Sequence, residues 1–178
     1  MGVIVGGVNG SCLRPPHMFF LVFTSITLLV LAAPLFAPSG SLVKLDGKVG
    51  TIDNGGEWDE LDIFTGLIYR TGDYFCHQIE DRSYTINGNQ LPICVRDLGL
   101  LLGFTMASLL SIWIDRRINW GLITVLVLPI IVDGGVQMVS DYQSLNSIRL
   151  VTGILGGSGA LLGMIRIMQN WLEELQEK

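Results

Sequence analysis

Residues 18–37 read MFFLVFTSITLLVLAAPLFA, and this stretch decides the fold class. It has the roughly 20 apolar residues that a helix needs to cross a bilayer, and no charged residue occurs between Arg14 and Lys44. We therefore predict a first transmembrane helix over residues 18–37. A cleaved signal peptide is the less favoured alternative, because the run is long for one and Pro34 and Pro38 suit the end of a helix better than a cleavage site.

The rest of the chain shares this apolar character. Of its 178 residues, 49% are hydrophobic and 15% are charged, whereas about 25% are charged in an average soluble domain. So few charges cannot cover a surface that faces water, which argues against a soluble enzyme and excludes a disordered chain. The 11 basic residues against 16 acidic ones make no positive footprint, so we expect no nucleic-acid partner.

Three further apolar segments follow the first. Residues 98–114 contain no charge, residues 119–139 carry only Asp133, and residues 150–169 are rich in glycine. Each is long enough to cross a bilayer. The pattern predicts an all-α membrane protein, with one integral membrane domain over residues 1–178 that forms a four-span helical bundle.

The distribution of basic residues predicts how this bundle is oriented, because Lys and Arg close to the ends of spans tend to remain in the cytoplasm. With the N-terminus inside, the short loop between the last two spans exposes only Arg149 to the outside. The cytoplasmic side then holds Arg14, Arg116, Arg117, Arg166 and Lys178. We expect a multi-pass protein of the cell membrane with both termini cytoplasmic and an extracytoplasmic cap over residues 38–97.

Turn and periodicity signals indicate that the cap is ordered. Asp46-Gly47 and Asn87-Gly88 are dipeptides that favour two-residue turns, so we predict two short β-hairpins. Between them, residues 58–75 repeat apolar side chains at helical spacing, which predicts an amphipathic helix. That helix either lies on the membrane surface or packs on the spans. In the second hairpin, pairing of Ile86 with Asn89 carries Cys94 back towards Cys76.

The cap contains a group of residues with ligand chemistry. Cys76, His77, Cys94 and Asp97 are of the types that zinc takes, and Cys94-x-x-Asp97 has the spacing of a metal knuckle. In an oxidising compartment, however, two thiols on adjacent hairpin arms most often form a disulfide, so a Cys76–Cys94 disulfide is the first interpretation and a zinc site the second. A redox-active thiol pair is the third. Cys12 is predicted inside and pairs with neither.

Charged and polar residues are predicted at the same depth. Asp133, Gln137 and Asp141 follow i, i+4, i+8 spacing and share one helix face. Because an ionised Asp inside a span costs free energy, Asp133 should pair with Arg149 or Arg96. That pair is either a structural ion pair or part of a functional site. Arg82, Arg96 and Arg149 suit the phosphate or carboxylate of a lipid head group. His77 is the candidate general base and Asp133 the candidate acid or metal ligand.

Several of these residues resemble a known family. Cys76-His77-Gln78, Arg82-Ser83, Pro92-x-Cys94-x-Arg96, Asp133-Gly134 with Gln137, and Arg149 with Thr152-Gly153 are similar to the small membrane proteins of domain-of-unknown-function family 2085, found in archaea and bacteria. The resemblance implies a membrane fold and candidate binding positions at Gln78, Arg82, Ser83, Arg96, Gln137 and Arg149, but no activity. Many relatives carry a further cysteine where this chain has Asp97, which weakens a mechanism that needs a Cys-x-x-Cys pair.

Small residues predict how the spans pack. Gly153-x-x-x-Gly157 on the fourth span and Gly99-x-x-x-Gly103 on the second allow two helices to approach closely. The alternative is that these faces form the seam of a homo-oligomer. Membrane lipid is the other expected partner.

Three functions remain open from the sequence. The first is a polar outer site that binds a metal, zinc being the candidate cofactor, or an anionic head group. The second is a membrane-embedded hydrolase or transferase that acts on a lipid-linked substrate. The third is a structural or accessory subunit whose cap is fixed by a Cys76–Cys94 disulfide.

Overall fold

The computed structural model describes residues 15–113, 118–140 and 142–176 of the chain. Several residues named above lie outside these ranges, namely Cys12, Arg14, Arg116, Arg117, Asp141 and Lys178. Within them, four helices are long and apolar enough to cross a membrane. They are α1 (Pro15–Phe36), α4 (Val95–Trp113), α5 (Trp120–Val139) and α6 (Asn146–Gln176). This confirms the predicted four-span bundle.

The cap between α1 and α4 holds the remaining elements. These are α2 (Gly55–Asp59), α3 (Ile63–Phe75), a 3-10 helix (Glu80–Arg82), β1 (Thr85–Ile86) and β2 (Asn89–Gln90). The two strands form an antiparallel hairpin in which Ile86 pairs with Asn89, as predicted. Asn87 and Gly88 form its turn with φ angles of 56° and 74°. An Asn-Gly pair tolerates these left-handed angles, which a primed turn requires.

The other predicted hairpin does not form, so that prediction was wrong. Residues 42–53 contain no strand, because part of this segment binds β2 instead of folding back on itself. The Gln90 backbone N–H donates to Leu42 O over 2.7 Å, and the side chain of Gln90 accepts a hydrogen bond from the backbone N–H of Leu45. Lys44, between them, takes a left-handed φ of 55° that no regular strand allows.

The predicted amphipathic helix is divided into α2 and α3. Asp62 ends the continuity because its side chain accepts hydrogen bonds from the backbone N–H groups of Phe64 and Thr65 and so begins α3 as an N-cap. The buried face of α3 is formed by Thr65, Gly66, Tyr69, Gly72 and Asp73. Its large apolar side chains point outward instead, with Ile63 92% and Leu67 63% exposed. This face is compatible with a helix that lies in the membrane interface.

Glycines bring α4 and α6 into contact along the bundle. A Cβ atom at Gly99 would lie 2.6 Å from Leu150 O, and one at Gly103 would lie 2.3 Å from Ile154 O. A Cβ atom at Gly153 or Gly157 would likewise collide with the α4 backbone. The predicted close approach of these two spans is confirmed, and their small residues are used inside one chain. This packing places the beginnings of α4 and α6 side by side below the cap.

Candidate functional site

The two cysteines of the cap are brought together by the ends of two helices. Cys76 follows the last residue of α3, and its backbone N–H donates to Gly72 O over 2.8 Å. Cys94 precedes α4, and its backbone N–H donates to Cys76 Sγ over 3.1 Å. Gly72 permits this contact because any side chain there would collide with Pro92, whose O lies 2.1 Å from the position of a Cβ atom.

Asp97 completes a cluster with these thiols from the first turn of α4. Cys94 Sγ lies 3.2 Å from Asp97 Oδ2, and one ligand atom from each of Cys76, Cys94 and Asp97 lies within 4.8 Å of the others. Cys76 is buried, while Cys94 and Asp97 are partly buried. Both thiols are free. The cluster therefore has the geometry to bind a metal ion.

Each of the two thiols shifts the pKa of the other. The pKa of Cys94 is lowered, mainly because the Cys76 thiol donates a hydrogen bond to it. The pKa of Cys76 is raised, first by that same hydrogen bond, then by burial and by the negative charges of Cys94 and Asp97. When no metal is bound, these shifts favour ionisation of Cys94 before Cys76.

The buried amides Gln78 and Gln90 hold this cluster in place, whereas the sequence indicated Gln78 only as a candidate binding position. Gln78 takes a left-handed φ of 47°, and its Nε2 donates to Pro92 O over 2.9 Å. The side chain of Gln90 donates to Gln78 O in turn. All side-chain contacts of Gln78 that the structure describes are therefore structural: they fix the turn after Cys76 against the segment before Cys94.

A second group of polar residues lies where α4, α5 and α6 meet the cap. Arg96 forms a salt bridge with Asp133, one of the two partners expected for that carboxylate. Gln137 Nε2 donates to Asp133 Oδ2 over 3.1 Å and to Ser144 Oγ over 2.8 Å. Asp133 and Ser144 are buried. The loop residue Ser144 was not predicted, because nothing in its local sequence distinguishes it.

Arg149 is the most enclosed member of this group, with 4% of its surface exposed. Its Nη1 donates to Asn146 Oδ1 over 3.1 Å, and Asn146 Nδ2 donates to Asp81 O of the cap. Its Nε and Nη2 atoms are buried and have no partner among the described residues. The charged groups that act on Arg149 are Arg82, Arg96, Asp133 and Cys94. The arginines and the thiol cluster are therefore neighbours.

The remaining predicted site residues lie around these two groups. His77 is exposed and is not part of the Cys76–Cys94–Asp97 cluster. Ser83 is buried, and its Oγ donates to Ile79 O over 3.0 Å. Arg82 is half-buried and lines a cavity of about 430 Å³ together with Arg96, Gln137 and Tyr142.

Four membrane-length helices under an ordered cap, with thiols, a carboxylate and arginines gathered at one end, define a small multi-pass membrane protein with a polar site. The chain belongs to the predicted membrane protein family DUF2085, whose sequence profile matches residues 76–162. That segment begins at Cys76 and contains the thiol cluster and all three arginines of the site, which agrees with the resemblance seen in the sequence.

Two curated archaeal relatives support the assignment. An uncharacterized protein of Methanocaldococcus jannaschii is 31% identical over 96 residues, which is 51% of this chain and 61% of the relative. An uncharacterized protein of Methanothermobacter thermautotrophicus is 30% identical over 89 residues, 48% of this chain and 80% of the relative. The chain thus spans less than two thirds of the first relative. No solved structure matches the chain.

Proposed function

We propose that this protein binds one zinc ion through Cys76, Cys94 and Asp97. The observation that carries the proposal is the convergence of three ligand atoms within 4.8 Å of one another. Zn–S bonds of about 2.3 Å and Zn–O bonds of about 2.0–2.2 Å in a tetrahedral site need ligand atoms somewhat closer than that limit. Small side-chain rotations would bring the three atoms to those distances.

The donor set favours zinc among divalent metals. Two thiolates and one carboxylate form a soft and mostly anionic site, whereas magnesium and calcium prefer oxygen ligands alone. Zinc would replace the proton that Cys76 otherwise retains, since a thiol binds metal only as its thiolate. The three ligands carry one negative charge more than the ion neutralises.

A set of three protein ligands leaves one coordination position for water or substrate. Such open sites are typical of catalytic zinc, because the ion lowers the pKa of its bound water and creates a nucleophile. This favours, as a second candidate function, a hydrolase or transferase for a lipid-linked substrate. In that candidate His77 is the base and Asp133 the acid. The salt bridge of Asp133 to Arg96 makes the carboxylate a poor proton donor unless the pair separates.

We place the zinc site on the extracytoplasmic side of the membrane. Arg166 of α6 lies at the end of the bundle that is away from the cap, as the basic-residue rule requires of a cytoplasmic end. In a variant without native cysteines, Asp59→Cys in the cap should react with a membrane-impermeant maleimide in intact cells. Glu174→Cys should react only after permeabilisation, and the reverse pattern would place the site inside.

The zinc proposal is tested by metal analysis of the full-length protein, purified in detergent with a reductant. We expect about one zinc per chain, its loss in Cys94→Ser and its weakening in Asp97→Asn. Cys12→Ser and Asp59→Asn, which alter the same residue types elsewhere, should retain zinc. A protein free of zinc would contradict the proposal, and a Cys76–Cys94 disulfide in a parallel preparation without reductant would then favour the structural subunit. Zinc that persists in Cys94→Ser would also contradict it.

A further inference from the structure

The arginines beside the thiol cluster outnumber the salt bridges that they form among the described residues. In the described part of the chain, Arg96 with Asp133 is the one salt bridge that this group makes. Oδ2 of that carboxylate also accepts hydrogen bonds from Gln137 and Ser144. Arg82 and Arg149 have no carboxylate partner within residues 15–113, 118–140 and 142–176.

Several donors of this group are buried without an acceptor. These are Nε of Arg96 and both Nε and Nη2 of Arg149, counting partners among the described residues. A buried charged donor that lacks an acceptor is costly. Proteins seldom retain several in one place unless a ligand, an ion or ordered water supplies the acceptors. Guanidinium groups present planar pairs of donors, which match the oxygens of phosphate.

The cavities next to these arginines suit an amphiphile. The polar cavity of about 430 Å³ is lined by Arg82, Arg96 and Gln137. A second hollow of about 520 Å³ runs along α5 and is lined by Leu128, Pro129, Val132 and Val136. Tyr142 lines both. A charged group in the first cavity would therefore lie beside an apolar channel that faces the lipid.

We propose that the polar cavity binds a phosphate group through Arg82 and Arg96, with the buried charge of Arg149 behind them. The phosphate is carried by a lipid head group whose chain follows the α5 hollow, or it is free phosphate. This binding does not depend on zinc, because its donors are arginines and not the thiols.

The test is a titration of the full-length protein in detergent with three probes. They are inorganic phosphate, a short-chain phosphatidic acid and the matching short-chain diacylglycerol. We expect phosphatidic acid to bind about tenfold or more tightly than diacylglycerol, as charge-assisted hydrogen bonds predict. Inorganic phosphate of equal affinity would identify a free phosphate ligand. Weaker binding of inorganic phosphate would identify a lipid, and either result supports the site.

Variants make the test specific. Because Arg82 is only half-buried, the Arg82→Gln variant should fold. It should bind phosphatidic acid about tenfold more weakly. Arg96→Lys, which keeps the charge but loses the fork, should weaken this binding as well. Arg70→Gln, which removes an exposed arginine paired with Asp59, should bind as the parent does. Cys94→Ser should also bind phosphate, so that failure of the zinc site and failure of the phosphate site are distinguishable. Equal binding of diacylglycerol and phosphatidic acid, or unchanged binding by Arg82→Gln and Arg96→Lys, would overturn the proposal.

Discussion

The backbone N–H of Cys94 donates a hydrogen bond to Cys76 Sγ across 3.1 Å. This contact joins the end of α3 to the beginning of α4, and it places two thiols and Asp97 at the junction between cap and bundle. The positions of both cysteines follow from local structure: a helix end for Cys76, and the hairpin return before α4 for Cys94. Their acid–base properties lead to the first prediction.

Cys94 should be alkylated faster than Cys76 by iodoacetamide in metal-free protein. The pKa of Cys94 is lowered and that of Cys76 is raised, and only a thiolate attacks the reagent. Cys94 is also the more exposed of the two. Peptide mass spectrometry of a timed reaction in a Cys12→Ser background measures both rates. Equal rates, or faster modification of Cys76, would show that the pKa of Cys94 is not lower than that of Cys76.

Zinc affinity should increase with pH. Because the pKa of Cys76 is raised, its thiol is protonated around neutrality, and zinc must displace that proton. The affinity should then rise by about tenfold per pH unit for each proton released. Competition with a chelator of known proton dependence, between about pH 6 and pH 8, measures this slope. An affinity that does not change with pH would mean that Cys76 does not bind the ion.

Gly103→Ala should destabilise the bundle. A Cβ atom there would lie 2.3 Å from Ile154 O, so α4 and α6 would have to separate. Overpacking of this kind costs about 1–3 kcal/mol and should lower the thermal midpoint in detergent. Gly134→Ala is the matched control, because a Cβ atom at Gly134 has nothing within 4 Å. If both variants unfold at the same temperature, the close approach of the two helices does not stabilise the fold.

Asp73→Ala should loosen the cap. The buried Asp73 carboxylate accepts hydrogen bonds from Trp58 Nε1 over 2.8 Å and from the Asn54 backbone N–H over 3.0 Å. Its removal leaves two donors unsatisfied, at about 1–3 kcal/mol each. We expect a lower thermal midpoint and a red-shifted tryptophan emission as Trp58 meets water. Asp59→Ala, at an exposed carboxylate, should change neither quantity.

The fold was predictable where a local signal agreed with the tertiary structure. Uninterrupted apolar runs such as residues 18–37 specify spans without further context, and Asn87-Gly88 specifies a turn because few other dipeptides accept its backbone angles. Asp46-Gly47 carried a similar signal, but the side chains of Asn89 and Gln90 bind Leu42 and Leu45 and override it. Those contacts join residues more than 40 positions apart, so the sequence pattern does not reveal them.

The candidate site was predictable to a similar degree. Residue chemistry and helix phase grouped Cys76, Cys94 and Asp97, and gave Arg96 as one of two partners for Asp133. The residue types alone grouped His77 with the thiols, whereas the structure leaves it exposed and outside their cluster. The sequence could also not show that the Gln78 amide nitrogen donates to backbone carbonyls, since a buried amide has the same sequence signature as a ligand-binding one.

X-ray absorption at the zinc edge of the full-length, zinc-loaded protein tests most directly whether Cys76, Cys94 and Asp97 bind zinc. We expect four ligands to zinc, of which two are sulfur at about 2.3 Å and two are oxygen at about 2.0–2.2 Å. Asp97→Asn should preserve both sulfur atoms, and Cys94→Ser should remove at least one. A shell of oxygen and nitrogen alone, or one unchanged in Cys94→Ser, would contradict the assignment of Cys76, Cys94 and Asp97 as the ligands.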